Sequence, residues 1–213
     1  LATDSRLADA ALPVLMGALD ADAVNMGHQA PVVMQTFATC SKELMFPRPV
    51  ILPYLRTLLA NCLPALDPND VHKTHVALCM FAVLFVSIPI QEHYEVGAFL
   101  GGEMMAQSPY LSLACGDSSC KSISEEESLY APFLESLGAY MLEWSGLFMD
   151  KLLILFDSLK APRKKEQDKD GLGETLAYAF EIFVTSINSP CIRSVIEKKL
   201  TDVLRRGSPP TNF

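Results

Sequence analysis

Apolar positions recur every three or four residues along most of this chain, and strand-like alternation is almost absent. That period predicts helices nearly throughout. Arg6 to Leu19 reads as a first helix with Leu7, Ala11, Val14, Leu15 and Ala18 on one side and Pro13 as a kink. Asp20 to His28 reads as a turn, and the next helix starts near Pro31 with the stripe Val33, Phe37, Cys40 and Leu44. After the break at Pro47-Arg48-Pro49 comes the cleanest stripe: Ile51, Leu52, Leu55, Leu58, Leu59, Cys62, Leu63 and Leu66, with Pro53 blurring its first turn.

Asp67-Pro68-Asn69-Asp70 reads as a helix start, with Asp67 as the cap, Pro68 in the first turn and Asp70 at the positive end of the dipole. The helix it opens is apolar on nearly every side from Val76 onward, so it must be covered on several sides and forms the core. From Gln91 to Ser122 the period fails among Gly97, Gly101, Gly102, Pro109 and Gly116, which predicts a long irregular loop or insertion.

Ser124-Glu125-Glu126-Glu127 has the form of a capping box. It opens a long helix with Leu129, Phe133, Leu137, Met141, Leu142, Leu147, Phe148, Leu152, Leu155, Phe156 and Leu159 as its apolar set and Gly138 and Gly146 as bend points. A charged stretch, Ala161 to Gly173, separates it from a final helix pair. One member carries Leu176, Phe180, Phe183, Val184 and Ile187; the other, opened by Ser189-Pro190, carries Ile192, Val195, Ile196, Leu200, Val203 and Leu204.

The predicted organisation is therefore all-α: helix pairs over 1–90, an irregular insertion over 91–123, a long helix over 124–160, a charged linker over 161–173, a helix pair over 174–206 and a disordered tail over 207–213. Antiparallel pairs of this length match an α-solenoid of HEAT-like units, which cannot bury their apolar faces alone. No residue-level repeat accompanies the pattern, and a closed helical bundle is the structural rival. Both ends read as places where the visible chain stops, and they need not be the ends of the natural protein.

Composition sharpens this reading. Half of the 213 residues are hydrophobic and 20% are charged, an apolar surplus that neighbouring repeats would cover. The net charge of −8 disfavours a nucleic-acid partner, since phosphate binding rests on Lys and Arg. Cys191 to Arg206 is locally basic, and reads as a solvated face. The longest apolar run, Val76 to Ile90, is too short to cross a bilayer, and nothing resembles a secretory signal, so no membrane partner is expected. Of Cys40, Cys62, Cys79, Cys115, Cys120 and Cys191, four occupy apolar helical positions, as free thiols in a reducing compartment would.

No candidate chemistry survives inspection. His72, His75 and Cys79 share a helical face and could converge on a metal, but no partner motif with zinc spacing stands elsewhere. Cys115 and Cys120 lack a second pair at such spacing. Glu125 to Glu127 sit where the helix dipole alone favours negative charge. Gly97, Gly101 and Gly102 follow no strand and make no phosphate loop. The stripe Tyr140, Trp144 and Phe148 reads as core, or as a partner seam if exposed. The reading assigns no catalytic residue, no metal ligand and no enzyme activity, and leaves cofactor-binding residues unknown.

The run Pro49-Val50-Ile51-Leu52-Pro53, continued by Leu63-Pro64-Ala65-Leu66-Asp67-Pro68-Asn69-Asp70, resembles the large single-chain proteasome activators of the PA200/Blm10 family. That family carries a similar leucine-rich helix and turn, with glycine where Ala65 stands. Ser87-Ile88-Pro89-Ile90, Glu125-Glu126-Glu127 and the run Trp144-Ser145-Gly146-Leu147-Phe148-Met149-Asp150-Lys151 extend the likeness, which covers Pro49 to Leu159 and continues toward Arg206. The stretch 91–122 looks longer than the family's connection there.

The resemblance implies a HEAT-like dome on the 20S proteasome α-ring that promotes ATP-independent gate opening, in nucleus and cytoplasm. It implies inositol-phosphate binding elsewhere in the family's chain, and neighbouring repeats of the same protein as partners. The family's C-terminal gate-engaging motif has no counterpart in Thr211-Asn212-Phe213. Another HEAT-type scaffold, such as a transport receptor or a phosphatase or kinase scaffold, is the alternative; it would show a sustained charged ladder facing a peptide partner.

Overall fold

A computed structural model describes residues 5–19, 28–45, 50–96, 123–160 and 169–207; the side chains of 5–9, 42–43, 123–128, 160, 169–170 and 206–207 lie outside that description. Seven α-helices occupy the described residues: α1 (Ser5–Ala18), α2 (Ala30–Met45), α3 (Leu52–Cys62), α4 (Val71–Ser87), α5 (Ile123–Lys160), α6 (Lys169–Thr185) and α7 (Pro190–Gly207). A 3-10 turn, Leu63–Ala65, extends α3.

Packing follows a rule of alternate helices. α3 touches α1 and α5, and α5 touches α7; α4 lies between α2 and α6. Odd helices thus stack in one row and even helices in a second, with α1 against α2 and α5 against α6 joining the rows. This is an all-α solenoid of HEAT-like antiparallel pairs, in which each unit covers the apolar face of the one before it. α4 is the centre of the even row: Ala77, Leu78, Met80, Phe81, Ala82, Leu84 and Phe85 are buried around its circumference. The nearly all-apolar run from Val76 requires this placement, because a helix without a polar face must be enclosed.

The turn into α4 is built differently from the expected cap. Asp67 does not cap the helix; Asp70 does, its carboxylate accepting the Lys73 N–H at 3.0 Å. Asp67 instead closes the turn before it, its Oδ1 accepting the Asn69 N–H at 2.9 Å. The Thr74 hydroxyl donates to the Asp67 carbonyl at 2.7 Å and accepts the Asp67 N–H at 3.0 Å, so it fastens the whole Leu66–Asp70 turn to α4. Pro68 falls in this turn, ahead of the helix.

α5 runs 38 residues, about 57 Å at ~1.5 Å per residue. It overruns α3, and part of its predicted apolar set faces outward: Leu129, Phe133, Leu142 and Leu147 are exposed, while Leu134, Leu137, Met141, Trp144, Phe148, Met149, Leu152 and Leu155 are buried. The first helix is misphased in the same way. Its buried face is Leu12, Met16 and Ala18, and Val14 is exposed. In both helices the period identifies the element, but which apolar residue turns inward depends on where the neighbouring helices lie.

α6 begins at Lys169, inside the stretch expected as a linker, and Ile123 already belongs to α5. α6 and α7, read from the sequence as a pair, enter different rows, α6 on α4 and α7 on α5. Val203 and Leu204 of α7 are exposed. Residues 97–122, 161–168 and 208–213 lie outside the described residues, and with them most of the expected loop, most of the linker and most of the tail.

Candidate functional site

Side chains from three helices converge at the junction of the two rows. Phe81 and Phe85 of α4, Trp144 and Phe148 of α5, and Phe183 of α6 form one aromatic cluster. Trp144 and Phe148 stack with centroids 4.8 Å apart, and Phe148 stands edge-on to Phe81 at 5.0 Å. Offset and edge-to-face rings at these distances add to simple area burial. The Trp144 indole N–H, buried with its ring, donates to the Leu59 carbonyl of α3 at 3.1 Å, so it is satisfied within the odd row. Two members of the predicted aromatic stripe are therefore core. The third, Tyr140, is half-buried beneath the Arg56 guanidinium, 5.0 Å from its ring centroid, while Arg56 also donates to Ser136 at 2.9 Å.

The His72–His75–Cys79 face does not converge. His72 is exposed, and His75 pairs through Nδ1 with the Thr175 hydroxyl of α6 at 3.1 Å, a link between neighbouring even-row helices. Burial raises the Cys79 thiol above its usual range, away from the thiolate a metal would take. Among the described residues no group of three His, Cys, Asp or Glu side chains could hold a metal ion. Cys115, Cys120, Gly97, Gly101, Gly102 and the side chains of Glu125 to Glu127 lie outside the description.

Other titratable groups are also shaped by packing. Burial pushes the Cys62 thiol up to about 12, with Lys73 pulling slightly the other way. Tyr94 is raised by burial, its hydroxyl donating to the Pro89 carbonyl at 2.8 Å. Tyr140 is raised by burial, with Arg56 opposing and Glu143 adding. Asp67 is lowered, chiefly by the Asn69 backbone N–H. Cys191 departs from the expected apolar setting and is exposed in the first turn of α7.

On α7 the basic run is not wholly solvated: Lys199 reaches across to Asp150 of α5 at 2.6 Å. Contacts of this kind, and the Arg56–Tyr140 pair, join residues far apart in sequence and leave no local signal. The same holds for a backbone bridge between Ile90 and Ile187, which sequence periodicity does not register. No described helix is long and apolar enough to cross a membrane. What the junction offers is a closely packed stack of helices.

Residues 5–208 match the protein family described as proteasome activator complex subunit 4, mid HEAT repeats region. No curated protein matches the chain. No solved structure matches it either. A match over nearly the whole sequence, together with two rows of stacked antiparallel helices, places this chain in the proteasome activator complex subunit 4 family, as a stretch of its mid HEAT-repeat region.

Proposed function

We propose that this region is one arc of a HEAT-repeat dome that caps the 20S proteasome α-ring and promotes opening of its substrate gate without ATP. The observation that supports this reading most is the family match over residues 5–208, to which the two-row stacking of α1 to α7 conforms. In this reading the arc does no chemistry. It holds geometry, through the aromatic junction and the links between rows, while the gate contact belongs to another part of the assembled protein. Its structural partners are neighbouring repeats, which would stack on the outward sides of α6 and α7, where Leu204 is 72% exposed.

No cofactor is assigned to this region; inositol phosphate, if bound, would use basic residues elsewhere in the protein. Nucleus and cytoplasm are the proposed locations. The family match weighs against a transport receptor or a kinase or phosphatase scaffold.

The test is co-sedimentation of the full-length protein with purified 20S proteasome, alongside hydrolysis of a fluorogenic peptide in the absence of ATP. Co-migration with faster hydrolysis supports the activator reading. No association and no stimulation, with a competent control activator, would leave a HEAT scaffold with a different partner.

A further inference from the structure

We propose that residues 88–94 form a releasable strap that couples the position of α7 to the root of the segment joining α4 to α5. Repeats in a solenoid ordinarily meet through side chains of stacked helices. Here two successive turns also share main-chain bonds. The Ile90 N–H donates to the Ser186 carbonyl at 2.8 Å, and the Asn188 N–H donates to the Ile90 carbonyl at 3.0 Å, a parallel bridge centred on Ile90 and Ile187. Ser186 reinforces it by donating its hydroxyl to the Phe85 carbonyl at 2.9 Å, and Asn188 by donating its side-chain amide to Gln91 at 3.2 Å.

The turn that receives the strap is also the start of α7. Ser189 caps that helix, accepting the Ile192 N–H at 3.1 Å, and Arg193 donates to the Ile187 carbonyl at 2.9 Å. A displacement of α7 therefore pulls directly on the bridge. On its other side the strap lies against Gly138 of α5, where the Glu92 carbonyl leaves no room for a side chain.

The strap is seated at a cost that makes release accessible. Among the described residues, Glu92 keeps one carboxylate oxygen buried without a hydrogen-bond partner. A polar atom so stranded regains water when the segment lifts. Seating thus satisfies Ile90 and Asn188 while stranding Glu92, and the balance is set by how firmly the α6–α7 turn holds its end.

Amide hydrogen exchange on the whole chain tests this. Asn188→Pro removes the bridge N–H at an exposed position, and the preceding residue is already a bridge residue, as proline prefers. Exchange at Ile90 and across 91–96 is expected to rise about ten-fold, with 74–86 and 176–185 unchanged. Asn188→Ala, which keeps the N–H, is expected to change it less than about three-fold. Arg193→Ala is expected to speed exchange at Ile90 several-fold, and Glu92→Gln to slow it. If Asn188→Pro leaves 90–96 unaffected, packing on Gly138 alone holds the segment and the strap is refuted. If Arg193→Ala alters only the first turn of α7, the coupling is refuted.

Discussion

Gly138 and Gly146 both lie within α5 and look alike in the sequence, as places where a long helix bends. Their surroundings set them apart. A Cβ at Gly138 would collide with the Glu92 carbonyl oxygen, a backbone atom that cannot swing aside. A Cβ at Gly146 would meet Lys199 Cε at 3.5 Å and Val195 Cγ1 at 3.9 Å, ordinary contact. Gly146→Ala is expected to stabilise the chain by roughly 0.5–1 kcal/mol, the helix-propensity gain. At Gly138→Ala the same gain is outweighed by overpacking, for a net loss of about 1–2 kcal/mol. Urea midpoints of the two variants against the parent decide it; equal shifts of the same sign would refute the assigned contacts.

The buried thiol and phenols give a pH dependence of definite sign. Cys62 is raised from 9.0 to about 12, and Cys79, Tyr94 and Tyr140 are also raised by burial. A raised pKa means that the unfolded chain releases its proton first. The stability from Cys62 is complete below pH 9 and is lost as pH rises toward 12. Asp67 acts oppositely, its contribution fading only as pH falls through its lowered value. Urea midpoints are expected to decline from pH 8.5 to 10.5, less steeply in Cys62→Ala. A flat profile would show these groups to be solvated.

At the scale of elements, helix α4 depends on its start. The Asp70 carboxylate satisfies one of the orphan N–H groups of the first turn, so Asp70→Ala is expected to cost about 1 kcal/mol, measured by thermal or urea unfolding. Asn at the same position would retain most of the cap. Pro68 and the acidic residues make a helix start legible in the sequence. Which aspartate caps it was not legible, because Thr74, in the first turn of α4, claims the Asp67 main chain and shifts the first helical residue to Val71. α5 shows the same division. Its length and period are plain, but its outward-facing leucines are identified only by the places that α3, α4, α6 and α7 occupy around it.

Across the whole molecule, stability concentrates where rows meet. Phe148 contacts Phe81, Phe85, Trp144 and Phe183, and so touches α4, α5 and α6 together. Phe148→Ala is expected to cost about 3–5 kcal/mol. Its loss should lower the cooperativity of unfolding, because each repeat is stabilised chiefly by its neighbours. Calorimetry would register a broadened transition; an unchanged one would place the junction outside the cooperative unit. By contrast Lys199–Asp150 joins partly exposed side chains, and removing it by Asp150→Ala should cost less than about 1 kcal/mol.

Residue order alone was enough for the helical class, most element positions, the enclosed character of α4 and, through Leu66 to Asp70 and the surrounding runs, the family. These are local properties: a 3.6-residue period, prolines that cannot extend a helix, and a helix with no polar face. Tertiary structure decided the rest. It assigned α6 and α7 to different rows, turned Leu12 and Met16 inward in place of Val14, tied His75 to Thr175, and joined Ile90 to Ile187. Each of these depends on atoms distant in the chain, and helical periodicity gives a residue's angle about its own axis but not which neighbouring helix will lie there.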